Sequence, residues 1–386
     1  MKKSRKITWG ILIAVVAGVL AFLFWPSHDY IRQALIHWYP KIDQYPIFEN
    51  RRVGAGDPQP WGFSEGYGRL QVGEQWLPAF QEYETVAFVV VHQDSLVFEQ
   101  YWDGYGPDSH SNSFSMAKSI VSLLIGTALD DGLISSVKQP VHDFIPEFGD
   151  YNSKTLTVED LLTMSAGVEW DEGYSGLFSL TTEAYYGKDI TGQALRIRQD
   201  AEPGVRFYYQ SGVTQLLAII LETVTGKPLS EYASEKLWTP IGAEQDALWS
   251  LDRKDGHEKA YCCFNSNARD FARLGQLVLN KGSWEGLQLV SEEYIDRATR
   301  PADWLLSDRG DGPNRTYGYQ FWILEYDGMK IPYFRGILGQ YIFVVPDRDA
   351  VIVRLGKKRS DTRYPPFYYP DDIDTWLGAG LEMLEK

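Results

Sequence analysis

The sequence predicts an α/β fold of the α+β type: an antiparallel sheet from N- and C-terminal strands, flanked by helices, with an inserted, mostly helical subdomain and an N-terminal transmembrane helix. Two strand-like runs lie early, at 86–92 and 96–102, and four lie late, at 317–326, 330–335, 340–345 and 350–355. The stretch between them, about 135–300, has helical apolar spacing and helix-stop residues, so both sets of strands share one sheet across an insert. A long uncharged run precedes them all.

That run, 7–25, follows Lys2, Lys3, Arg5 and Lys6, and its one markedly polar member is Thr8. At about 1.5 Å per residue it spans roughly 28 Å, close to the hydrocarbon thickness of a bilayer. Basic residues on the amino side hold that end in the cytosol. The expectation is a single-pass membrane protein: a cytosolic tip and anchor (1–26), a linker and irregular wrap rich in Pro, Gly and aromatics (27–82), and an extracytoplasmic domain (83–386), periplasmic in a Gram-negative cell. The competing reading, a cleaved signal peptide, needs small residues at a cut site. Bulky Phe22, Phe24 and Trp25, then Pro26, fill that zone.

The early strands flank Gln93-Asp94 and form a hairpin. Beyond them, Ser113-Phe114-Ser115-Met116-Ala117-Lys118-Ser119 leads into the apolar run 120–129. Ser115 begins a helix with almost no polar face, hence buried on all sides, and Lys118, three residues on, shares its side. A serine becomes a nucleophile when a neighbouring base takes its proton, and an amine serves once burial lowers its pKa. The helix N-terminus favours the negative charge that develops on attack. The plain alternative is a serine near a helix N-cap. Ser135-Ser136-Val137-Lys138 has the same spacing but lies between Gly132 and Pro140, in a polar turn.

Farther on, Thr157 and Asp160 cap a helix over 156–164, and Gly226 ends one over 216–225. A helical apolar face covers 268–280. Asp327-Gly328 and Asp347-Arg348-Asp349 turn the late strands, and a helix over 372–385 closes the chain. The aromatic and proline run 364–370 either rims a cleft or packs.

A net charge of −15, from 37 Lys+Arg against 52 Asp+Glu, argues against a nucleic-acid partner. The adjacent Cys262 and Cys263 tie no distant segments and read as two small buried hydrophobes. Six scattered histidines offer no metal-ligand spacing, so neither metal nor cofactor is expected.

Two further clusters stand out. Pro203-Gly204-Val205-Arg206-Phe207-Tyr208-Tyr209-Gln210-Ser211-Gly212 precedes a helix starting near Gln215, and Tyr209, if near a lysine ammonium, has reason to lose its proton. Phe334-Arg335-Gly336-Ile337-Leu338-Gly339-Gln340 places glycines in a strand, a mark of close backbone or ligand approach.

In chain order, Ser115-Met116-Ala117-Lys118, Leu161-Leu162-Thr163-Met164-Ser165-Ala166-Gly167, Pro203-Gly204 with Tyr209-Gln210-Ser211, Ala268-Arg269-Asp270 with Ala272-Arg273, and 336–345 resemble the serine β-lactamase and penicillin-recognising hydrolase superfamily. The likeness runs from about 86 to 355 and is nearest to the class C β-lactamase-like branch of esterases and 6-aminohexanoate-dimer hydrolases. It implies a serine hydrolase acting on a small ester or amide. Ser115 would attack the carbonyl, Lys118 and Tyr209 would relay its proton to the leaving group, and the N–H groups of Ser115 and Ile337 would form the oxyanion hole. Ser211 stands where many relatives have asparagine and, with Phe334, Arg335 and Gly336, would bind substrate.

The chain departs from the family at Phe334-Arg335-Gly336, where β-lactamases and D-Ala peptidases have Lys-Thr-Gly or a His variant. Arg335 sits one strand position over, so alternation aims it at the opposite face. A penicillin-binding DD-peptidase or β-lactamase is therefore the second reading, and a catalytically idle binding module the third.

Overall fold

Gln93 and Asp94 take φ of 50° and 57°, the positive pair that a type I′ hairpin turn requires. Across this turn Thr85–His92 pairs antiparallel with Ser95–Tyr101. The computed structural model describes residues 2–149, 154–174, 176–363 and 369–385. Its main sheet runs Trp322–Tyr326, Met329–Gly336, Gln340–Val345, Ala350–Gly356, Thr85–His92, Ser95–Tyr101, Gly62–Phe63. Early and late strands meet where Ala350–Gly356 pairs with Thr85–His92. All pairings are antiparallel except the short edge between Gly62–Phe63 and Ser95–Tyr101.

Side chains alternate across this sheet. Val89, Val91, Ile342, Val351 and Val353 belong to the core that includes Met116–Asp130 and Ala268–Leu279, whereas Phe88, Val90, Phe343 and Ile352 join Trp376 and Leu377 of Asp372–Leu384. Full burial of each large apolar side chain contributes about 1.5–3 kcal/mol, against about 1 kcal/mol for the whole range of strand propensity. Packing on two helical layers therefore fixes the sheet. Gly275 and Gly380 allow the helices to approach closely, since a Cβ would lie 2.5 Å from Val351 at the first and 2.4 Å from Ile352 at the second.

The capping signals form as their chemistry requires. Thr157 and Asp160 make a reciprocal capping box on Val158–Leu162, and Gly226 closes Ser211–Thr225 in the left-handed conformation. Ser211–Thr225 starts five residues earlier than the apolar run 216–225 marked.

Several expectations need correction. The strand over 317–326 shortens to Trp322–Tyr326, because Gln320, at φ 61°, breaks the extended run before it. The 135–300 stretch also carries Ala247–Ser250 and Phe264–Ser266, which pair in a four-stranded sheet with Asn50–Val53 and Ser111–Asn112. Region 27–82 is more ordered than a linker: it contains Asp29–His37, Asn50–Val53 and Leu77–Glu82. Cys262 and Cys263 are buried and joined to each other by a disulfide.

Lys2–Leu23 is one helix, with Ile7, Trp9, Ile11, Leu12 and Val15 exposed. Among the described residues no single helix is long and apolar enough to cross a membrane. Ile7–Leu23 and Pro26–His37, bent by 78°, pass that test only together. The first five residues of the 364–370 run lie outside the described residues.

Candidate active site

Ser115 is the N-cap of Met116–Asp130, at φ −67° and ψ −5°. The turn before it holds Phe114 at φ 44°, a left-handed value that a bulky residue adopts only under constraint. The constraint is visible: Phe114 N–H donates to Asn112 Oδ1 at 2.8 Å, and Ser113 N–H to Phe264 O at 2.9 Å. The chain is thus pinned where it presents Ser115.

Lys118 is 1% exposed, and its Nζ donates to Ser115 Oγ at 3.0 Å and to Tyr261 O at 2.9 Å. Its ammonium also lies 5.1 Å from the Tyr209 ring centre and 5.3 Å from that of Tyr261. The Tyr209 side chain hydrogen-bonds Ser115. The phenol, distant in sequence, therefore meets the hydroxyl and the amine. The decoy does not share this setting: Ser135 is exposed and Lys138 is ion-paired with Glu159.

Burial lowers the Lys118 amine to about 8, with the Glu172 charge opposing. Burial, then Glu172, pushes the Tyr209 phenol up, while Ser115, Arg335 and Arg359 pull weakly the other way. This reverses the expectation that the phenol loses its proton. The amine is the group whose neutral form is accessible near neutral pH.

Glu172 carries no signal of period or motif. Its carboxylate accepts from Trp170 Nε1 at 2.7 Å, Tyr174 Oη at 2.6 Å, Ser211 N at 2.8 Å and Ser211 Oγ at 2.6 Å. Ser211 is thus held by Glu172 at the wall of an apolar cavity.

Two cavities meet at Ser115. One, about 570 Å³, is lined by Glu172, Tyr209, Trp322, Arg335, Arg359 and Arg363 among others. The second, about 330 Å³, is walled mainly by apolar and aromatic side chains, including Trp38, Tyr39, Phe114, Leu177 and Tyr261. Tyr174 and Ile337 border both.

The third cluster divides differently from expectation. Phe334 is fully buried and packs against Phe321, ring centres 5.0 Å apart, so its side chain belongs to the core and not to a substrate site. Arg335 pairs across the sheet with Tyr341, on the face alternation demands. The length of its side chain carries the guanidinium over the Trp322 ring, 4.6 Å from its centre, and into the larger cavity. Gly336 lines the same cavity, and a Cβ there would sit 2.3 Å from Ser113 O. Only glycine lets this strand lie so close to the turn that presents Ser115.

Other buried guanidiniums have clear partners: Arg273 pairs with Asp270 and Glu244, and Arg354 donates to the carbonyls of Tyr83, Leu338 and Gly339. Among the described residues, no carboxylate lies within ion-pair distance of Arg335, which instead interacts with Tyr333.

Residues 74–368 match the family model described as Beta-lactamase. A 6-aminohexanoate-dimer hydrolase of Paenarthrobacter ureafaciens is 28% identical over 303 residues, covering 72% of this chain and 74% of that protein. An Escherichia coli (strain K12) protein assigned as a D-alanyl-D-alanine carboxypeptidase is 25% identical over 334 residues, covering 66% and 73%. The solved structure of a Bacillus anthracis protein assigned as a 6-aminohexanoate-dimer hydrolase has the same fold, with a TM-score of 0.71 at 23% identity, covering 88% of this chain and 91% of that one. The chain belongs to the Beta-lactamase family.

Proposed function

We propose that the protein is a serine hydrolase that cleaves a small ester or amide through an acyl-enzyme. The observation that carries this reading is the 3.0 Å contact between the buried Lys118 Nζ and Ser115 Oγ. Neutral Lys118 takes the Ser115 proton as Oγ attacks the substrate carbonyl. The oxyanion is stabilised by the N–H groups of Ser115 and Ile337, with the helix N-terminus behind the first. Protonated Lys118, through the Tyr209 hydroxyl, then returns the proton to the leaving oxygen or nitrogen. Water then attacks the acyl carbonyl as Lys118 accepts its proton, the Oγ–acyl bond breaks, and Lys118 returns that proton to Ser115 Oγ as the acid leaves. Ser211, Arg335 and Gly336 contact substrate.

A p-nitrophenyl ester tests the two-step course. A burst of p-nitrophenol equal to the enzyme concentration, absent in Ser115→Ala, is expected; identical progress curves in both proteins would remove the reading.

The D-alanyl-D-alanine carboxypeptidase relative favours a second reading, a penicillin-binding peptidase. Phe334-Arg335-Gly336 in place of Lys-Thr-Gly weighs against it. A stable adduct with labelled penicillin would favour it.

We also propose that 7–25 anchors the protein in a membrane, with the hydrolase domain on the extracytoplasmic side. The exposed apolar side chains of Lys2–Leu23 support this. Recovery of the full chain in the membrane fraction, and release on deletion of 1–26, is the expected outcome.

A further inference from the structure

We propose that the 330 Å³ cavity beside Ser115 is an acyl-chain pocket, so that the preferred substrates carry an extended apolar acyl group. The inference rests on the reading of Ser115 as nucleophile and specifies what it acylates.

The pocket is a built feature of the fold. Asp29–His37 packs against Leu180–Tyr186, and the Tyr186 hydroxyl donates to Trp38 O at 3.1 Å. That packing brings Trp38, Tyr39 and Pro40 into the lining together with Phe114 and Tyr261. Its volume is within the range of small-ligand sites, about 300–1,000 Å³. Among the described residues its lining carries no Asp, Glu, Lys, Arg or His. A charged acyl group would be desolvated there without a partner.

The two cavities suit different halves of a substrate. A leaving group must depart before water enters, and the larger cavity, lined by charged residues, offers both routes. The smaller apolar one is suited to retain the acyl chain meanwhile. Trp38 of this lining is 76% exposed, and Ile36 and Phe178, next to the lining residues Trp38 and Leu177 in sequence, are 70% and 69% exposed. Phe178 lies 6.4 Å, ring centre to ring centre, from Phe22 at the end of the N-terminal helix. Exposed apolar side chains beside this lining thus continue toward the N-terminal helix, a surface that favours a lipophilic substrate.

The test is hydrolysis of p-nitrophenyl acetate, butyrate, hexanoate and octanoate by the full chain at one fixed concentration of a nonionic detergent. Each methylene buried contributes about 0.8 kcal/mol, equivalent to about fourfold in kcat/KM, until the pocket fills. The expected series rises steeply from acetate and then levels. In Leu177→Trp, which narrows the pocket, the octanoate-to-acetate ratio is expected to fall about tenfold or more. Trp38→Ala, which opens one wall, is expected to flatten the rise. A flat or falling series in the wild type, with acetate hydrolysis abolished by Ser115→Ala, would overturn the acyl pocket and leave the nucleophile standing. Undiminished hydrolysis of all four esters by Ser115→Ala would overturn both.

Discussion

The Glu172 carboxylate accepts the Ser211 hydroxyl at 2.6 Å and the Ser211 N–H at 2.8 Å, fixing a carboxylate within the electrostatic reach of Lys118. Its negative charge favours the protonated amine. Catalysis needs the neutral amine, so kcat/KM is expected to rise with pH through about 8 in the wild type. In Glu172→Gln the midpoint should move to lower pH, because the charge holding the proton on is gone. A pH profile of kcat/KM checks this, and an unmoved or raised midpoint counts against it.

Lys118 also links pH to stability. Its folded-state pKa, about 8, lies below the ordinary 10.5. Between those values the unfolded chain binds the extra proton, so stability rises with pH across that window, and the cost of charging the buried amine is fully present below it. Urea unfolding at pH 7 and pH 10 should therefore show wild type gaining on Lys118→Met as pH rises. Parallel behaviour of the two proteins would contradict the assigned burial cost. Lys259, buried and similarly lowered, is common to both.

Tyr209 is expected to work as a neutral phenol. Tyr209→Phe should lower kcat by about 10²- to 10⁴-fold, the usual worth of a positioned proton donor, with the unfolding midpoint little changed. Retention of more than half the wild-type kcat would exclude the proposed relay.

Tyr185 and Tyr261 are 5% and 3% exposed, and their hydroxyls find no hydrogen-bond partner among the described residues. An unsatisfied buried hydroxyl costs about 1–3 kcal/mol, so Tyr185→Phe and Tyr261→Phe should leave stability equal or raise it. Chemical denaturation measures the change, and a loss above about 1 kcal/mol would indicate that each hydroxyl has a partner.

The parts legible in the sequence were those written in local chemistry. Spacing of three placed Lys118 beside Ser115, Gln93-Asp94 marked the hairpin, and Thr157 with Asp160 marked a capped helix. Asp29–His37 escaped because it is short and its two buried residues, Ile31 and Ala34, make a faint apolar stripe. Glu172 escaped because it lies in an irregular segment and gains its role only when Ser211, thirty-nine residues on, folds against it. Arg335 was placed on the right face of its strand by alternation, but strand period does not encode how far a long side chain reaches. The phenol's protonation was the part misjudged: burial raises the Tyr209 phenol, and burial is a property of the assembled core.

Ser115 as nucleophile and Lys118 as its base stand or fall together. The direct measurement is labelling of the folded full chain with a fluorophosphonate probe, followed by peptide mass mapping. Stoichiometric modification of Ser115 is expected, slowed about 10³-fold or more in Lys118→Ala, where the hydroxyl loses its base. Modification at a residue other than Ser115, or wild-type labelling kinetics in Lys118→Ala, would contradict the account.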